Sequence, residues 1–489
     1  MDGAEPILTS LPRNDSRRFL YTYLGRRLRG RGEPLFYYDA LLARPTLVCG
    51  TTQCGKTELL SSVAIQNAAK GRPVVFIDGK CDLGLLHKLY YYCHIIHKRP
   101  FFPLLPFSQR DDLTYSWNPL MCTQLESRTI TESVFNAFQD PHMSKDSESA
   151  FYSGYQRTVF SHLMSALRFS EHAVSMQDLR LILEYDEILS SLQRFIKPQG
   201  TVPYSELMRL RNEDGKQFAH NMKSFVNYLS QFSHWSLNSY NPTIQFDRLM
   251  LTDSVVYVGL PVNDQPYLMG CLGNIMINQL KALSQYVQSH QKHKRHAILC
   301  IVDEAGRFVD SGLTDWLAKV RSSGFMLMLG IQLLADLEGR KAGFAKQVKG
   351  NTNNVIMFRT PDPETAQWFV DLAGQELAEA RAANIEVAGD EVKETGAGNK
   401  RAYEREVVPR DAIYKLRKGQ CYFFSEATLR PVLMAGCFYP DPIDRPDRRY
   451  VKIVDPRPAE LSGLSLWYYM ANERIRLSSQ LQGQKPGGG

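Results

Sequence analysis

Residues 45–60 read PTLVCGTTQCGKTELL, and the prediction of the fold starts from them. An apolar run at residues 47–49 leads into GTTQCGKT at residues 50–57, and apolar residues at helical spacing follow. This is the pattern G-x-x-x-x-G-K-[ST], placed between a buried strand and the start of a helix. In that setting backbone N–H groups and the helix dipole form a cradle for di- and triphosphates. We therefore predict a phosphate-binding loop over residues 50–57.

Each position of this loop has an expected role. Gly50 and Gly55 allow backbone angles and a close approach that a Cβ would block. Lys56 is expected to reach the β- and γ-phosphates, and Thr57 is expected to give its hydroxyl to Mg²⁺. The alternative, a glycine turn before an ordinary helix, is disfavoured by the apolar flanks. The predicted nucleotide-binding residues are Gly50, Thr51, Thr52, Gln53, Cys54, Gly55, Lys56 and Thr57.

Composition favours a globular protein with real cores. The 489 residues, 44% of them hydrophobic, are enough for two or three domains. No apolar run approaches the roughly 18 residues that span a bilayer, and the first residues do not form an apolar signal segment. Nine cysteines without a C-x-x-C pair argue against a disulfide framework and a zinc site. We therefore expect a cytoplasmic protein.

The net charge of +7 matters only where basic residues cluster. One cluster lies in residues 13–31, and the other is HQKHKRH at residues 290–296. Either cluster can contact nucleic-acid phosphates or anionic lipid headgroups, and the alternative for each is a solvated basic face. The arginines of the first cluster are Arg13, Arg17, Arg18, Arg26, Arg27, Arg29 and Arg31.

The order of strands and helices predicts an α/β fold. The phosphate loop and its helix are followed by a buried strand at residues 74–78 and a helix at residues 83–96, which implies right-handed βαβ units and a mostly parallel central sheet flanked by helices. Residues 127–234 lack β-branched runs and show long helical periodicities. We therefore predict an all-α domain inserted into the nucleotide-binding domain.

We place the domain boundaries where the composition changes. Residues 375–405 are charged with few apolar anchors, so a mobile loop is expected there. Residues 420–425 and 431–438 are expected to form a closing hairpin, and residues 466–475 a short amphipathic helix. The predicted domains are a basic N-terminal arm (1–33), the first part of the nucleotide-binding domain (34–118), the all-α insertion (119–243), the second part of the nucleotide-binding domain (244–440) and a C-terminal tail (441–489).

Two carboxylates follow a later buried strand. Residues 297–302 read AILCIV and end in Asp303 and Glu304. Asp303 is expected to hold Mg²⁺ through water, and Glu304 to orient and deprotonate the attacking water. Alone this is a weak signal, but a phosphate loop in the same chain makes the catalytic interpretation the better one. The long gap between Lys56 and Asp303 becomes ordinary once the helical insertion is removed.

Two further polar residues follow buried strands. Gln332 comes directly after FMLMLGI at residues 325–331, where its amide can contact the γ-phosphate or its water. The alternative is that Gln332 caps a helix starting near Leu333. Arg359 follows the strand at residues 355–358 and can reach a neighbouring subunit's site as an arginine finger. The alternative for Arg359 is a surface ion pair.

Five segments together resemble the nucleotide-binding domain of type IV coupling proteins, the conjugative DNA-transfer ATPases of the FtsK/HerA superfamily. They are LVCGTTQCGKTELL, VVFIDGKCD, CIVDEAGRF, GFMLMLGIQLLADLE and NTNNVIMFRTPDPETAQWF. The resemblance covers residues 34–440, including the helical insertion where the family carries its all-α domain. The arginine finger aligns with either Lys349 or Arg359. The other matching positions are Lys56 and Thr57 for phosphate and Mg²⁺, Asp303 and Glu304 for the metal and the water-activating carboxylates, and Gln332 for the glutamine after the strand.

The resemblance implies a RecA-like P-loop ATPase domain that binds ATP and Mg²⁺. It also implies a homo-oligomeric ring, a hexamer, that couples hydrolysis to passing DNA through a central channel. The implied partners are a relaxase or other secretion substrate and type IV secretion components or a membrane-anchored subunit. Family members usually begin with transmembrane helices, and this sequence has none. Either another subunit carries the membrane anchor, or the sequence is truncated, or the basic N-terminal arm docks on a membrane or partner. We expect a protein that is cytoplasmic or peripheral at the inner membrane through a partner.

We interpret the chain as an ATP-hydrolysing DNA translocase, a coupling protein that recruits and pumps conjugative nucleoprotein to a type IV secretion channel. Two alternatives stay open. One is a soluble HerA-like DNA-processing helicase or pump, and the other is an ATP-dependent substrate-receptor scaffold for relaxase or effector protein. The motifs support ATP hydrolysis directly, whereas DNA as cargo depends on the resemblance and a modest basic excess.

Overall fold

The structure of the protein is a computed structural model. It describes residues 2–3, 11–12, 15–107, 113–138, 147–169, 173–213, 215–249, 251–290, 297–308, 311–338, 343–388 and 391–442. The helix expected at residues 466–475, the tail from residue 443 onward, Arg13 and residues 291–296 of the second basic cluster lie outside the described residues.

Strands and helices are interspersed along the described chain. The strands are β1 (Asp2–Gly3), β2 (Tyr21–Arg27), β3 (Pro34–Tyr38), β4 (Thr46–Cys49), β5 (Val74–Asp78), β6 (Phe101–Leu104), β7 (Val255–Gly259), β8 (Ile298–Asp303), β9 (Phe325–Ile331), β10 (Asn354–Phe358), β11 (Gln375–Ala388), β12 (Glu391–Glu406), β13 (Gln420–Ser425) and β14 (Val432–Phe438). The α-helices are α1 (Arg17–Leu20), α2 (Asp39–Leu42), α3 (Lys56–Ala69), α4 (Leu83–Leu89), α5 (Ser127–Ala137), α6 (Ser147–Leu167), α7 (Met176–Glu184), α8 (Asp186–Ser191), α9 (Thr201–Glu213), α10 (Gly215–Ser230), α11 (Phe246–Leu249), α12 (Pro266–His290), α13 (Ser311–Lys319), α14 (Ala335–Glu338), α15 (Phe344–Asn351), α16 (Pro363–Ala373) and α17 (Arg410–Tyr414). A π-helical turn, Tyr90–Ile96, continues α4, and short 3-10 turns follow several other elements.

The chain divides into two compact units. The first combines the described residues up to Ser62 with Gly330–Asp336 and Thr352–Tyr439. The second combines Val63–Leu329, Leu337–Asn351 and the described residues from Pro440 onward. In the part of the chain that the structure describes, no helix is long and apolar enough to cross a membrane.

The sheet of the first unit delivers the phosphate loop from a buried strand. Strands β4 and β10 are parallel neighbours, with Val48 opposite Ile356. The order continues antiparallel from β10 through β13, β14, β2 and β3, and the short β1 lies parallel to β14. All residues of β4 and β10 are buried. The hairpin expected near the end of this region is confirmed, since β13 and β14 pair antiparallel.

Part of the predicted N-terminal arm belongs to this sheet. Strand β2 pairs with β3 and β14. Its first half is buried at Tyr23 and Leu24, whereas Arg26 and Arg27 are exposed at its other end. Buried Thr22 donates a hydrogen bond from its hydroxyl to Asp39 Oδ1 at 2.7 Å. The arm prediction is therefore wrong from residue 21 onward, because the apolar half of β2 packs into the core while its arginines stay outside.

The prediction of a mobile loop at residues 375–405 is also wrong. This stretch forms β11 and β12, an antiparallel pair whose register runs from Gln375 opposite Glu406 to Ala388 opposite Glu391. Pairing satisfies backbone N–H and C=O groups whatever the side chains are, so few apolar anchors are needed. At the start of the pair, Arg405 Nη2 lies 2.7 Å from Glu376 Oε1.

The sheet of the second unit is parallel throughout its described strands. Its order is β9, β8, β5, β7 and β6, and Asp78 at the end of β5 lies opposite Asp303 at the end of β8. Every residue of β5, β7 and β8 is buried. Near-continuous apolar strands are typical of a parallel sheet covered on both faces. The predicted α/β class with a mostly parallel sheet flanked by helices is confirmed.

The described part of residues 119–243 consists of helices and turns, with α5 to α10 packed around aromatic side chains. The ring of Phe225 lies 5.0 Å from that of Phe160 and 5.7 Å from that of Phe135, measured between centroids. The two ends of this helical stretch meet where Trp117 bridges to Ile244 in parallel. The Asn118 side-chain amide donates to the carbonyls of Val174 (2.8 Å) and Ser239 (3.0 Å), so both ends are held together by buried hydrogen bonds.

Candidate nucleotide-binding loop and acidic strand ends

The phosphate loop is held by backbone contacts within the first unit. The N–H of Gly50 donates to the carbonyl of Ile331 at 3.2 Å. The N–H and the hydroxyl of Thr51 both donate to the carbonyl of Arg359, at 3.1 and 3.2 Å. On the other side, the N–H of Gly419 donates to the carbonyl of Cys54 at 2.8 Å. The ends of β9 and β10 and the turn before β13 therefore fix the loop.

Close packing explains the residue types in the loop. A Cβ added to Gly50 would lie 2.6 Å from Phe358 Cβ and 2.7 Å from Cys54 Sγ, which is too near for either atom. Gly55 has φ of +111° and Gln53 has φ of +62°, both in the region that side chains disfavour. A non-glycine residue in this conformation costs about 1–3 kcal/mol and is typical of ligand-binding segments.

Lys56 and Thr57 begin helix α3, as the motif predicts. Lys56 is 4% exposed, and Thr57 is half-buried. Burial raises the pKa of the Cys49 and Cys54 thiols, and the positive charge of Lys56 opposes the rise at both. A buried ammonium group at the start of a helix of fourteen residues adds its charge to the positive end of the helix dipole. This arrangement suits an anion.

Gln332 and Arg359 directly follow strands β9 and β10, whose ends hold the loop. The N–H of Gln332 and that of Leu333 donate to Asp336 Oδ2, at 3.2 and 2.9 Å, and helix α14 begins only at Ala335. The Arg359 side chain is exposed, and its charge opposes the raised pKa of Cys54, which burial causes. Arg359 therefore supports the loop with its carbonyl while its guanidinium faces solvent.

The second unit holds the two predicted carboxylates at the end of β8. Asp303 is fully buried and Glu304 is 8% exposed. Glu304 has φ of +57°, and its N–H donates to Asp303 Oδ1 at 3.0 Å. A Cβ on neighbouring Gly79 would lie 3.0 Å from Glu304 Cβ, so the backbone at Gly79 passes close to the glutamate.

No role was predicted from the sequence for the residues that surround this pair, although Asp78 and Lys80 lie in the segment VVFIDGKCD. Asp78 accepts hydrogen bonds from the N–H of Lys80 (2.9 Å) and from the hydroxyl of Tyr257 (2.8 Å). Burial raises the pKa of Asp78, and the charge of Asp303 adds to the rise. Lys80 Nζ lies 2.6 Å from Glu304 Oε1. Burial lowers the pKa of Lys80, but the hydrogen bond and charge of Glu304 outweigh it and the pKa is raised. The available signal was that Asp78, like Asp303, ends a buried strand.

The structure thus groups the predicted residues in two sets. In the first unit it brings together the loop residues, the carbonyl of Arg359 and the strand that ends before Gln332. In the second unit it brings Asp303 and Glu304 together with Asp78 and Lys80.

Each unit contains an oxygen donor of the kind that Mg²⁺ takes in nucleotide sites. Among the described residues, no group of three or more His, Cys, Asp and Glu side chains is placed to hold a metal ion. Mg²⁺ in nucleotide sites takes only one or two protein ligands besides phosphate oxygens and water. The hydroxyl of Thr57 and the carboxylate of Asp303 are single oxygen donors of that kind.

Comparison with known proteins finds similarity to coupling proteins. Residues 297–418 match the family described as the TraM recognition site of TraD and TraG. The type 4 coupling protein DotL of Legionella pneumophila (strain Philadelphia 1) is 23% identical over 406 residues. That alignment covers 71% of this chain and 51% of DotL, so the chain spans about half the length of this curated relative.

Solved structures share the fold. The bacterial conjugative coupling protein TrwBdeltaN70, in an unbound form, has a TM-score of 0.56 at 14% identity and covers 88% of this chain and 92% of that one. Plasmid coupling protein TrwB in complex with ADP and Mg²⁺ has a TM-score of 0.52 at 14% identity, covering 90% and 98%. VirB4 of Thermoanaerobacter pseudethanolicus has a TM-score of 0.50 at 11% identity, covering 86% and 97%. The sequence match and the shared fold confirm the predicted resemblance to the type IV coupling proteins.

Proposed function

We propose that this chain is a nucleotide-hydrolysing coupling ATPase that drives substrate transfer to a type IV secretion apparatus. The observation that carries the proposal is the buried Lys56 at the start of α3, in a loop fixed by the carbonyls of Ile331 and Arg359. A neighbour of the same fold supports nucleotide binding, since TrwB has been solved with ADP and Mg²⁺ and with a non-hydrolysable ATP analogue.

Each residue has a role in this proposal. Lys56 neutralises the β- and γ-phosphates of ATP, and the loop N–H groups cradle them. The hydroxyl of Thr57 and, through water, the carboxylate of Asp303 would hold Mg²⁺, whose charge would offset the charge that develops on the phosphates. Glu304 orients the attacking water and takes its proton. Gln332 contacts the γ-phosphate or that water.

The transferred substrate in this proposal is conjugative DNA with its relaxase, passed through a hexameric ring. Exposed arginines at the end of β2 and just after it, Arg26, Arg27, Arg29 and Arg31, support contact with DNA phosphates. The match to a TraM recognition site supports a relaxosome or secretion-channel partner at residues 297–418. A partner of this kind would also hold the protein at the inner membrane, and the Arg359 side chain would serve the neighbouring subunit's site.

Two variants test the proposed hydrolysis. We expect Lys56→Ala to lose ATP binding or hydrolysis, and Glu304→Gln to bind ATP but lose turnover by roughly 100-fold or more, the size of a general-base effect. Phosphate release and titration with a fluorescent ATP analogue measure the two properties separately. Lys415→Met is the control, because Lys415 is an exposed surface lysine that pairs with Asp411. Hydrolysis by Glu304→Gln at the unmodified rate would rule out its role as base.

Turnover with and without DNA tests the substrate. We expect single- or double-stranded DNA to stimulate turnover, and added salt to weaken the effect because it competes with phosphate contacts. If neither form of DNA changes turnover over a range of salt, the scaffold for relaxase or effector protein becomes the better account.

A further inference from the structure

Lys80 contacts the carboxylate that the proposed function makes the catalytic base. The distance from Lys80 Nζ to Glu304 Oε1 is 2.6 Å. The Glu304 side chain is 10% exposed and that of Lys80 is 37% exposed, so the contact is largely shielded from water on the glutamate side. A carboxylate oxygen that is paired with an ammonium group at this distance is less available to a water molecule. The contact therefore competes with the role proposed for Glu304.

Lys80 is held in place by an ordered turn. Asp78 accepts the N–H groups of Lys80 (2.9 Å) and Asp82 (2.8 Å) as well as the hydroxyl of Tyr257 (2.8 Å). Asp82 in turn caps helix α4 by accepting the N–H of Gly84 at 2.8 Å. The backbone from Asp78 to the start of α4 is thus fixed at several points, and it presents the Lys80 side chain to the end of β8.

Glu304 is fixed at its backbone in the same way. Its left-handed conformation is held by the hydrogen bond from its N–H to Asp303 Oδ1 and by the close approach of Gly79. With both backbones fixed, the contact can open only by rotation of the Lys80 and Glu304 side chains. Side-chain rotation is fast and cheap compared with movement of a strand. Opening the contact therefore needs no movement of either strand.

We propose that Lys80 is a positioning residue that holds Glu304 in a resting position and releases it when hydrolysis proceeds. This inference rests on the proposed function, in which Glu304 is the base. In the step concerned, the water oxygen forms a bond to the γ-phosphorus and the bond from that phosphorus to the β–γ bridging oxygen breaks. One water proton passes to the Glu304 carboxylate, and ADP and phosphate leave. While the ammonium group of Lys80 is paired with Oε1, the carboxylate is a weaker acceptor for that proton than after its release.

Removing the ammonium group should speed the enzyme without substrate DNA. We expect Lys80→Met to raise basal kcat roughly twofold to fivefold with KM for ATP unchanged, because breaking a partly exposed ion pair shifts a population by about that factor. Lys80→Arg keeps a cation at this position and should retain the low basal rate. Lys80→Gln is a second uncharged variant in case the methionine variant folds poorly, and Lys415→Met is the matched surface control.

The outcomes separate this inference from the proposed function. The double variant Lys80→Met with Glu304→Gln should be as slow as Glu304→Gln alone. A second outcome is that Glu304→Gln is inactive while Lys80→Met and Lys80→Gln turn over at or below the unmodified rate. In that case Glu304 is still the base, but the proposed resting position held by Lys80 is wrong. If Lys80→Arg is as fast as Lys80→Met, the ion pair is not the cause of the low basal rate. If Glu304→Gln is as fast as the unmodified protein, both ideas fail.

Discussion

Gly50 is constrained both by the lack of space for a side chain and by the hydrogen bond of its backbone N–H. A side chain there would meet Phe358 Cβ and Cys54 Sγ at less than 3 Å, while the backbone N–H is already used by the carbonyl of Ile331. The strand before the loop, the strand beside it and the loop itself are therefore packed against one another at this glycine. Any displacement at Gly50 is passed directly to Cys54, two residues before Lys56.

Alanine at Gly50 should damage both stability and nucleotide binding. We expect a loss of about 1–3 kcal/mol in the free energy of unfolding, the usual cost of overpacking, and weaker binding of a fluorescent ATP analogue. Thermal unfolding and a binding titration measure the two effects. The control is Gly350→Ala in helix α15, where no heavy atom of the described residues lies within 4 Å of the added Cβ. That control should be neutral or slightly stabilising, and equal behaviour of the two variants would contradict the packing argument.

Single residues were predictable from the sequence where a motif fixes their spacing. Lys56 and Thr57 lie where the motif expects them, at the start of α3. The contact of Lys80 with Glu304 was not predictable, because it depends on Asp78 lying opposite Asp303 in the β5–β8 register. Register between strands more than 200 residues apart is set by packing of the whole sheet, and residue spacing does not reveal it.

At the scale of elements, the helical stretch is organised by aromatic side chains. Phe225 of α10 is 1% exposed and its ring meets those of Phe135, Phe138 and Phe160 within 6 Å. These rings come from α5, α6 and the residue that follows α5, so one side chain joins several elements. Edge-on and tilted aromatic contacts of this kind add to the burial of apolar area.

Removing that ring should destabilise the second unit strongly. We expect Phe225→Ala to lower the free energy of unfolding by about 3–5 kcal/mol, the usual range for a large buried aromatic residue. Denaturant unfolding followed by circular dichroism gives the value. Val202→Ala in α9 is the control, since Val202 is 73% exposed and should change stability by less than about 0.5 kcal/mol. A loss below about 1 kcal/mol for Phe225→Ala would show that the neighbouring rings close the cavity.

Elements were predictable where hydrophobic periodicity is strong, and were missed where charge conceals it. The helices of residues 127–230 and the buried strands β5, β8 and β9 follow directly from their apolar patterns. Strand β2 was missed because its arginines dominate the composition, although Tyr23 and Leu24 are fully buried. The β11–β12 pair was missed because backbone hydrogen bonds hold it together and few apolar side chains indicate the strands in the sequence.

At the scale of the whole molecule, each unit carries part of the proposed chemistry. The phosphate loop and Arg359 belong to the first unit, and Asp303 and Glu304 belong to the second. The proposed arginine finger requires a neighbouring subunit, because it acts on that subunit's nucleotide. Because the Arg359 carbonyl holds Thr51 while its guanidinium is exposed, the side chain can be removed without losing the loop contact.

Mixing two inactive variants tests whether sites are shared between subunits. We expect Arg359→Ala to bind ATP but hydrolyse it slowly, and Lys56→Ala to be inactive. In a ring that pairs the Lys56 loop of one subunit with Arg359 of the next, equimolar mixing leaves roughly one interface in four with both residues intact. Phosphate release should then recover toward about a quarter of the unmodified rate, since an arginine finger acts on the neighbouring nucleotide. Arg430→Ala, which removes another exposed arginine of the first unit, should be active alone and serves as the control. Failure to recover at any mixing ratio would leave Arg359 as a support for its own loop and remove the reason for a shared site.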